Sequence, residues 1–228
     1  MKNLFIAGNW KSNKTNAESQ VWVKDIASKL SDISADLSKI PVVVCVPFTS
    51  LSVINYALKA GNVPLALGTQ NVSKFDEGAY TGEVTAKMVK EVADWVIIGH
   101  SERRKYFNET DEDLAIKAQK AKGTGLRVIF CVPDDKTPVP TGVDVVGYEP
   151  VWAIGTGKTD SPENAAAVVT SIKAKTKVAT VIYGGSVTGD NVDTFVSQSA
   201  IDGVLPGGAS LDPEKFSHLI HAALAATK

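Results

Sequence analysis

The sequence has only two cysteines, Cys45 and Cys131. Two thiols cannot supply a disulfide framework or a four-ligand zinc site. Both lie in apolar runs, where a buried thiol that takes part in no chemistry is the usual outcome. The fold must therefore rest on a hydrophobic core, and a chain of 228 residues is long enough to bury one.

The chain also lacks an excess of charge of either sign. Lys and Arg together number 24 and Asp and Glu 25, so the formal net charge is -1. Because nucleic-acid-binding domains carry a basic surplus, the composition gives no reason to expect such a partner. The hydrophobic share of 44% and the charged share of 21% are ordinary for globular proteins, which excludes disorder and collagen-like structure.

Long hydrophobic runs are absent as well. The N-terminal apolar run is Leu4–Ala7, whereas a secretory signal needs about 7–15 apolar residues. The longest uncharged stretch, residues 40–58, contains two prolines and several polar side chains, which favours a strand, a turn and a helix over a membrane span. We therefore expect no membrane contact and a cytoplasmic location.

Short, β-rich apolar runs recur along the sequence with helical patterns between them. Most are apolar at consecutive positions, as expected for parallel strands buried on both faces. Repeated strand–helix units predict a parallel α/β sheet, and eight of them in one chain favour a closed (β/α)8 TIM barrel. No linker interrupts the pattern, so we expect residues 1–228 to form a single domain. The predicted strands are Leu4–Ala7, Val42–Val46, Leu65–Gly68, Trp95–Ile98, Arg127–Val132, Asp144–Tyr148, Thr180–Tyr183 and Gly203–Leu205.

The connection between the fifth and sixth predicted strands breaks this pattern. The segment Pro133 to Val143 carries prolines at positions 133, 138 and 140. Proline inside a helix removes a backbone donor and clashes with the preceding turn. We therefore predict that one outer helix is replaced by a proline-rich loop, which would leave the barrel wall exposed unless another segment covers it.

Polar residues and paired glycines directly follow several predicted strands. In a barrel these positions meet at the C-terminal rim, where the active sites of this fold lie, and the loops after the last two strands commonly bind phosphate. Each residue alone has an ordinary explanation as a surface charge, a turn or a structural histidine, but their shared position favours an active site. They are Asn9, Lys11, His100, Ser101, Glu102, Glu149, Gly184, Gly185, Ser186, Gly207 and Gly208.

Six motifs together resemble the triosephosphate isomerase family, in order and over nearly the whole chain. The motifs around His100 and Glu149 are each highly specific. Two departures stand out: the missing outer helix, and Pro206, where the family usually has valine. The motifs are Asn9–Lys11, Gln70–Glu83, Ile98–Arg104, Tyr148–Lys158, Tyr183–Val187 and Gly207–Leu211.

The resemblance implies the interconversion of dihydroxyacetone phosphate and glyceraldehyde 3-phosphate through an enediolate, with no metal or cofactor. Glu149 matches the base that moves the proton between carbons. His100 matches the group that donates a hydrogen bond to the carbonyl oxygen. Lys11 matches the cation beside the substrate oxygens, while Asn9 orients Lys11 and substrate, and Glu102 positions Lys11.

The resemblance also implies a phosphate site, a lid and an assembly. Backbone N–H groups of Gly155, Ser186, Gly207 and Gly208 would hold the phosphate, and Pro150–Lys158 matches a mobile lid. The loop Gln70 to Glu83, with Thr81, matches a segment that reaches into a second subunit, which implies a homodimer. The missing helix leaves a further level of assembly open.

Two other functions remain to be weighed. One is a phosphosugar enzyme of the same fold that acts on a larger substrate, for which we find neither a Schiff-base lysine nor an extra pocket signature. The other is a catalytically impaired barrel that serves as a phosphate-binding or scaffold protein. The presence of both Glu149 and His100 favours an enzyme over a silent barrel.

Overall fold

The computed structural model describes residues 4–153 and 159–227. Parallel strands pair in chain order and close into a barrel where β8 joins β1, which confirms the predicted (β/α)8 fold. The predicted strand bounds are right to within two residues, and β1 runs on to Asn9. The strands are β1 Phe5–Asn9, β2 Val42–Val46, β3 Ala66–Thr69, β4 Trp95–Ile98, β5 Arg127–Val132, β6 Val145–Tyr148, β7 Thr180–Tyr183 and β8 Gly203–Val204.

Helices surround the barrel, and several begin at a residue whose side chain accepts a hydrogen bond from the first turn. Thr110, Ser161 and Asp212 cap three helices in this way, and Thr15 forms a reciprocal capping box with Glu18. None of the helices in the described ranges is long and apolar enough to cross a membrane. The helices are α1 Asn16–Lys29, α2 Ser34–Leu37, α3 Leu51–Ala60, α4 Ala86–Lys90, α5 Ser101–Tyr106, α6 Asp111–Gly123, α7 Pro162–Thr176, α8 Val192–Val196 and α9 Pro213–Ala225.

The hydrophobic core has two layers because successive strand residues point to opposite faces of the wall. Val42 and Val44 join the large cluster between the wall and the helices, whereas Val43 and Cys45 join a smaller cluster inside the barrel. Cys131 lies in that inner cluster as well. Both thiols are free and buried, as predicted, and burial raises their pKa above the ordinary value.

No helix lies between β5 and β6, and residues 133–144 are all described, so the predicted replacement of one outer helix is confirmed. The wall is nevertheless covered. Phe130 and Val132 of β5 are each 1% exposed, and Val146 of β6 is 0% exposed. Val139 and Val143 of the loop pack into the same outer cluster. The loop thus covers part of the barrel wall that the absent helix would otherwise cover.

Asp135 ties this loop to its neighbour α7. Its Oδ2 accepts hydrogen bonds from the Ser171 hydroxyl at 2.5 Å and from Lys175 Nζ at 2.6 Å. Lys175 Nζ also donates to the backbone carbonyl of Asp135 at 3.0 Å. These contacts hold a proline-stiffened loop against the barrel where a helix would otherwise pack.

Candidate active site

A cavity of about 240 Å³ opens at the C-terminal rim of the barrel, among the segments that follow the strands. Nine of the site residues predicted from sequence line it: Asn9, Lys11, His100, Glu149, Gly184, Gly185, Ser186, Gly207 and Gly208. Glu102 lines an adjoining cavity of about 260 Å³, which also touches Asn9 and Lys11. Gly155 lies outside the described residues, as does most of the glycine-rich half of the predicted lid.

Glu149 is a buried carboxylate with one hydrogen-bond donor and a histidine ring beside it. It directly follows β6 and is 2% exposed. Its Oε2 accepts a hydrogen bond from the backbone N–H of Ser101 at 3.0 Å, and its Oε1 lies 3.2 Å from His100 Nε2. A Cβ atom at Gly184 would stand 2.9 Å from Glu149 Cγ, so only glycine leaves room there for the carboxylate arm.

His100 is held in one tautomer by the start of α5. It is the N-cap residue of that helix, and its Nδ1 accepts the backbone N–H of Glu102 at 3.2 Å. A ring nitrogen that accepts a hydrogen bond carries no proton, so the proton of the neutral ring lies on Nε2. His100 therefore presents an N–H donor towards Glu149 and the cavity.

Lys11 is fixed at both ends of its side chain. Its backbone has a φ of 53°, in the left-handed region, and its N–H donates to Asn9 Oδ1 at 3.0 Å. Its Nζ donates to Glu102 Oε1 at 2.5 Å. The turn after β1 thus places an ammonium group at the mouth of the cavity, with a carboxylate on its far side.

Segments that follow β7 and β8 both line the cavity. Gly207 and Gly208 begin the 3₁₀ turn Gly208–Leu211 after β8, and the backbone N–H of Asn9 donates to the Pro206 carbonyl at 2.9 Å. The hydroxyl of Ser186 donates to the carbonyl of Ala153 at 2.8 Å. Pro206 thus serves as an acceptor, and its lack of an N–H takes nothing from the two glycines that line the cavity.

The sequence did not indicate every residue of the site. The backbone N–H of Ser101 as a donor to Glu149 was missed, although Ser101 opens a helix whose first N–H groups have no partner within it. Thr188 and Leu205 also line the cavity. Nothing in their local sequence distinguishes them from ordinary residues near the end of a strand.

A closed parallel barrel with a carboxylate, a neutral histidine, a lysine and two glycine turns in one rim cavity defines a (β/α)8-barrel enzyme. The family model described as Triosephosphate isomerase matches residues 4–142 and 138–223. The chain belongs to the triosephosphate isomerase family. The two matched segments overlap at residues 138–142, within the proline-rich loop, so the break in the match lies where the helix is missing.

Curated relatives agree with this assignment. The triosephosphate isomerase of Synechocystis sp. is 40% identical over an alignment 244 positions long, gaps included, which covers 97% of this chain and 99% of the relative. The triosephosphate isomerases of Picosynechococcus sp. and Trichodesmium erythraeum are each 41% identical with the same coverage. The similarity therefore spans whole chains and not only the site motifs.

Proposed function

We propose that this chain interconverts dihydroxyacetone phosphate and D-glyceraldehyde 3-phosphate, a step of glycolysis and gluconeogenesis. The observation that carries the proposal is the 3.2 Å contact between His100 Nε2 and Glu149 Oε1 in a cavity that Lys11 also lines. A base and a hydrogen-bond donor meet at one point, as proton transfer next to a carbonyl requires.

Glu149 is the proposed base. It removes a proton from the carbon beside the carbonyl, and the electron pair of that C–H bond forms the C=C bond of an enediolate. The carbonyl π electrons move to oxygen, where the Nε2–H of His100 donates a hydrogen bond to the developing negative charge. Protonated Glu149 then returns the proton to the former carbonyl carbon. The hydroxyl proton on the first carbon passes to the other oxygen by way of His100 Nε2, which leaves a C=O bond on the first carbon and a hydroxyl on the second and completes the isomerisation. Exclusion of water by the bound substrate makes the carboxylate a stronger base.

Lys11 supplies positive charge beside the same oxygen. A fixed ammonium stabilises the charged enediolate more than the neutral carbonyl. It therefore lowers the free energy of the transition state relative to that of the bound substrate. Asn9 holds the Lys11 backbone, and Glu102 holds its Nζ. We assign the substrate phosphate to the backbone N–H groups of Ser186, Gly207 and Gly208, since neutral donors bind a dianion without placing another cation near Glu149. Gly155 belongs to the same proposed set.

We infer that two copies of the chain associate through the loop Gln70–Glu83. Three salt bridges hold this loop against its own subunit: Lys74–Asp113, Lys87–Glu77 and Lys120–Asp76. With those charges paired, the loop presents Phe75 and Tyr80 to solvent, stacked at 4.0 Å and still 36% and 45% exposed. A preorganised loop with an aromatic tip is suited to insertion into a partner.

The adjoining cavity beside Lys11 is the proposed receptor for that loop. Gln70, Arg103 and Phe107 line it, and Phe107 is 63% exposed. An exposed aromatic ring next to a polar rim is typical of an interface.

A cytoplasmic location fits the proposed glycolytic role. A single domain over residues 1–228 fits a barrel whose closure pairs β1 with β8.

The decisive experiment is turnover of glyceraldehyde 3-phosphate by the parent chain and by Glu149→Gln, with inorganic phosphate as a competitive inhibitor of both. We expect kcat to fall by about 10²–10⁴-fold or more, because a positioned base is lost. We expect phosphate inhibition of the residual activity to persist. Glu163→Gln on α7 is the matched control and should leave turnover unchanged. A folded parent that binds phosphate without turnover would favour the scaffold function instead.

A further inference from the structure

The indole of Trp22, on the outside of the barrel, is hydrogen-bonded to the turn that follows β8. Trp22 lies on α1 in its buried stripe and is 1% exposed. Its Nε1–H donates to the backbone carbonyl of Ser210 at 3.1 Å. Ser210 belongs to the turn Gly208–Leu211, whose first residues line the cavity. A side chain that takes no part in the proposed reaction is therefore hydrogen-bonded to the segment proposed to bind phosphate.

The Ser210 carbonyl depends on this donor. Three residues on, Pro213 has no N–H to close the 3₁₀ turn. Four residues on, the N–H of Glu214 is taken by Asp212 Oδ1 at 2.8 Å. Ser210 is 0% exposed, and a buried carbonyl without a donor is costly. Trp22 supplies what the backbone of the turn cannot.

The position of Ser210 is transmitted to the glycines of the cavity. Its N–H and its hydroxyl both donate to the carbonyl of Gly207, at 2.9 Å and 2.7 Å. On the other side the turn packs directly on β1, since a Cβ at Gly8 would stand 2.7 Å from Ser210 Cβ. The turn is therefore fixed on one side by packing against β1 and on the other by the hydrogen bond from Trp22.

The same indole also supports the end of β1. Its ring meets that of Trp10 edge to face, with centroids 4.9 Å apart and planes at 71°. Trp10 directly precedes Lys11 in the chain. Phe216 of α9 lies on the other side, with its centroid 6.0 Å from that of Trp22.

We propose that Trp22 is a positioning residue for the substrate phosphate, which rests on the proposed function of this cavity. Through the Ser210 carbonyl, its Nε1–H fixes where the N–H groups of Gly207 and Gly208 point. The residue touches no substrate. Its contribution should therefore appear in phosphate affinity more than in the rate of proton transfer.

The test is Trp22→Phe, which keeps an aromatic ring in place and removes the indole donor. We expect KM for glyceraldehyde 3-phosphate and Ki for inorganic phosphate to rise together, by about threefold to tenfold, the effect of one lost hydrogen bond. We expect kcat to change by less than about twofold, since uniform binding is what is lost.

Trp95→Phe is the matched control. Trp95 is also a buried tryptophan, at 3% exposed, and its Nε1 has no hydrogen-bond partner among the described residues. It lies in the inner cluster, away from the turn. This variant should lose stability without any change in KM or in Ki for phosphate. Equal shifts in both variants would mean a general packing effect and would overturn the proposal.

A second measurement uses the unaltered protein. In ¹H–¹⁵N spectra, the Nε1–H signal of Trp22, assigned by its loss in Trp22→Phe, should shift and exchange more slowly as inorganic phosphate is added. The Trp95 signal should not. Unchanged Trp22 signals, or unchanged Ki in a folded Trp22→Phe, would refute the positioning role. If the proposed phosphate site itself is wrong, the result is different: inorganic phosphate would not inhibit even the parent. That outcome would overturn both the phosphate assignment and the role of Trp22.

Discussion

Lys11 Nζ and Glu102 Oε1 lie 2.5 Å apart and join the turn after β1 to the first turn of α5. The pair is partly exposed, with side-chain exposures of 28% and 38%. Such pairs add about 0–1 kcal/mol to stability. The value of this contact therefore lies in where it holds the ammonium rather than in the energy of folding.

Glu102→Gln should separate these two effects. The amide keeps the shape and the backbone N–H that His100 accepts, but it removes the charge that holds Lys11. We expect kcat/KM to fall by about tenfold, since one charge-assisted hydrogen bond contributes about 1.5–3 kcal/mol at most, while the thermal midpoint changes little. Steady-state kinetics and thermal unfolding of the same preparation measure both. Unchanged kinetics would show that Lys11 is positioned by its own backbone alone.

Asp135 should contribute stability but no activity. Removing its charge in Asp135→Asn weakens the contacts with Lys175 and Ser171, so we expect the thermal midpoint to fall by about 1–3 °C. Turnover should stay at the parent level, since the loop is not part of the cavity lining. A double-mutant cycle with Lys175→Met isolates the pair. Additive losses would show that the two side chains do not interact in solution.

The same contact predicts a pH dependence. The hydrogen bond from Lys175, and then that from Ser171, holds the pKa of the Asp135 carboxyl below its ordinary value. A carboxyl whose pKa is lowered by folding contributes stability above its unfolded pKa of about 3.9, and loses it as the pH falls through the folded value. The difference in stability between parent and Asp135→Asn should therefore shrink as the pH falls below about 4, and vanish once the pH is below the folded pKa. Chemical denaturation at a series of pH values measures it.

The two cysteines should be unreactive in the native protein. Burial raises the pKa of both thiols, and for Cys131 the nearby Glu149 carboxylate raises it further. Since the thiolate is the reactive form, a thiol-specific chromogenic reagent should label neither residue at pH 8 and both after denaturation. Rapid labelling of one thiol in the folded protein would reveal opening of the barrel interior.

Phe75→Glu tests the proposed homodimer. A carboxylate in place of one stacked ring cannot be buried in a partner, so the variant should be a monomer at concentrations where the parent is a dimer. Analytical ultracentrifugation distinguishes the two. Tyr56→Glu, on the outer helix α3 and 76% exposed, is the control and should leave the parent's state unchanged. A parent that sediments as a monomer would refute the assembly.

Local signals in the sequence predicted most of the fold. Consecutive apolar residues marked the strands, and the prolines of residues 133–140 marked the missing helix, because both features act over a few residues. The cover of the β5–β6 wall was not foreseen. It depends on Asp135 and Lys175, which are 40 residues apart and are brought together only by the closed barrel.

The active site, like the fold, could be predicted from the sequence only in part. The side chains of His100 and Glu149 could be chosen from motifs, whereas their 3.2 Å contact and the donation by Ser101 required the strands to close. Trp22 carried no signal at all. It is an apolar residue in a helical stripe, and its partner Ser210 lies 188 residues further along the chain.

The proline-rich loop divides the barrel into two unequal parts, β1–β5 and β6–β8. These parts remain joined along two seams of strand pairing, β5 with β6 and β8 with β1. A protease cut at the exposed Lys136 would therefore open the chain without opening the barrel. We expect two fragments divided at this position to restore the cavity only when they recombine, since Lys11 and His100 come from one fragment and Glu149 and Gly207 from the other.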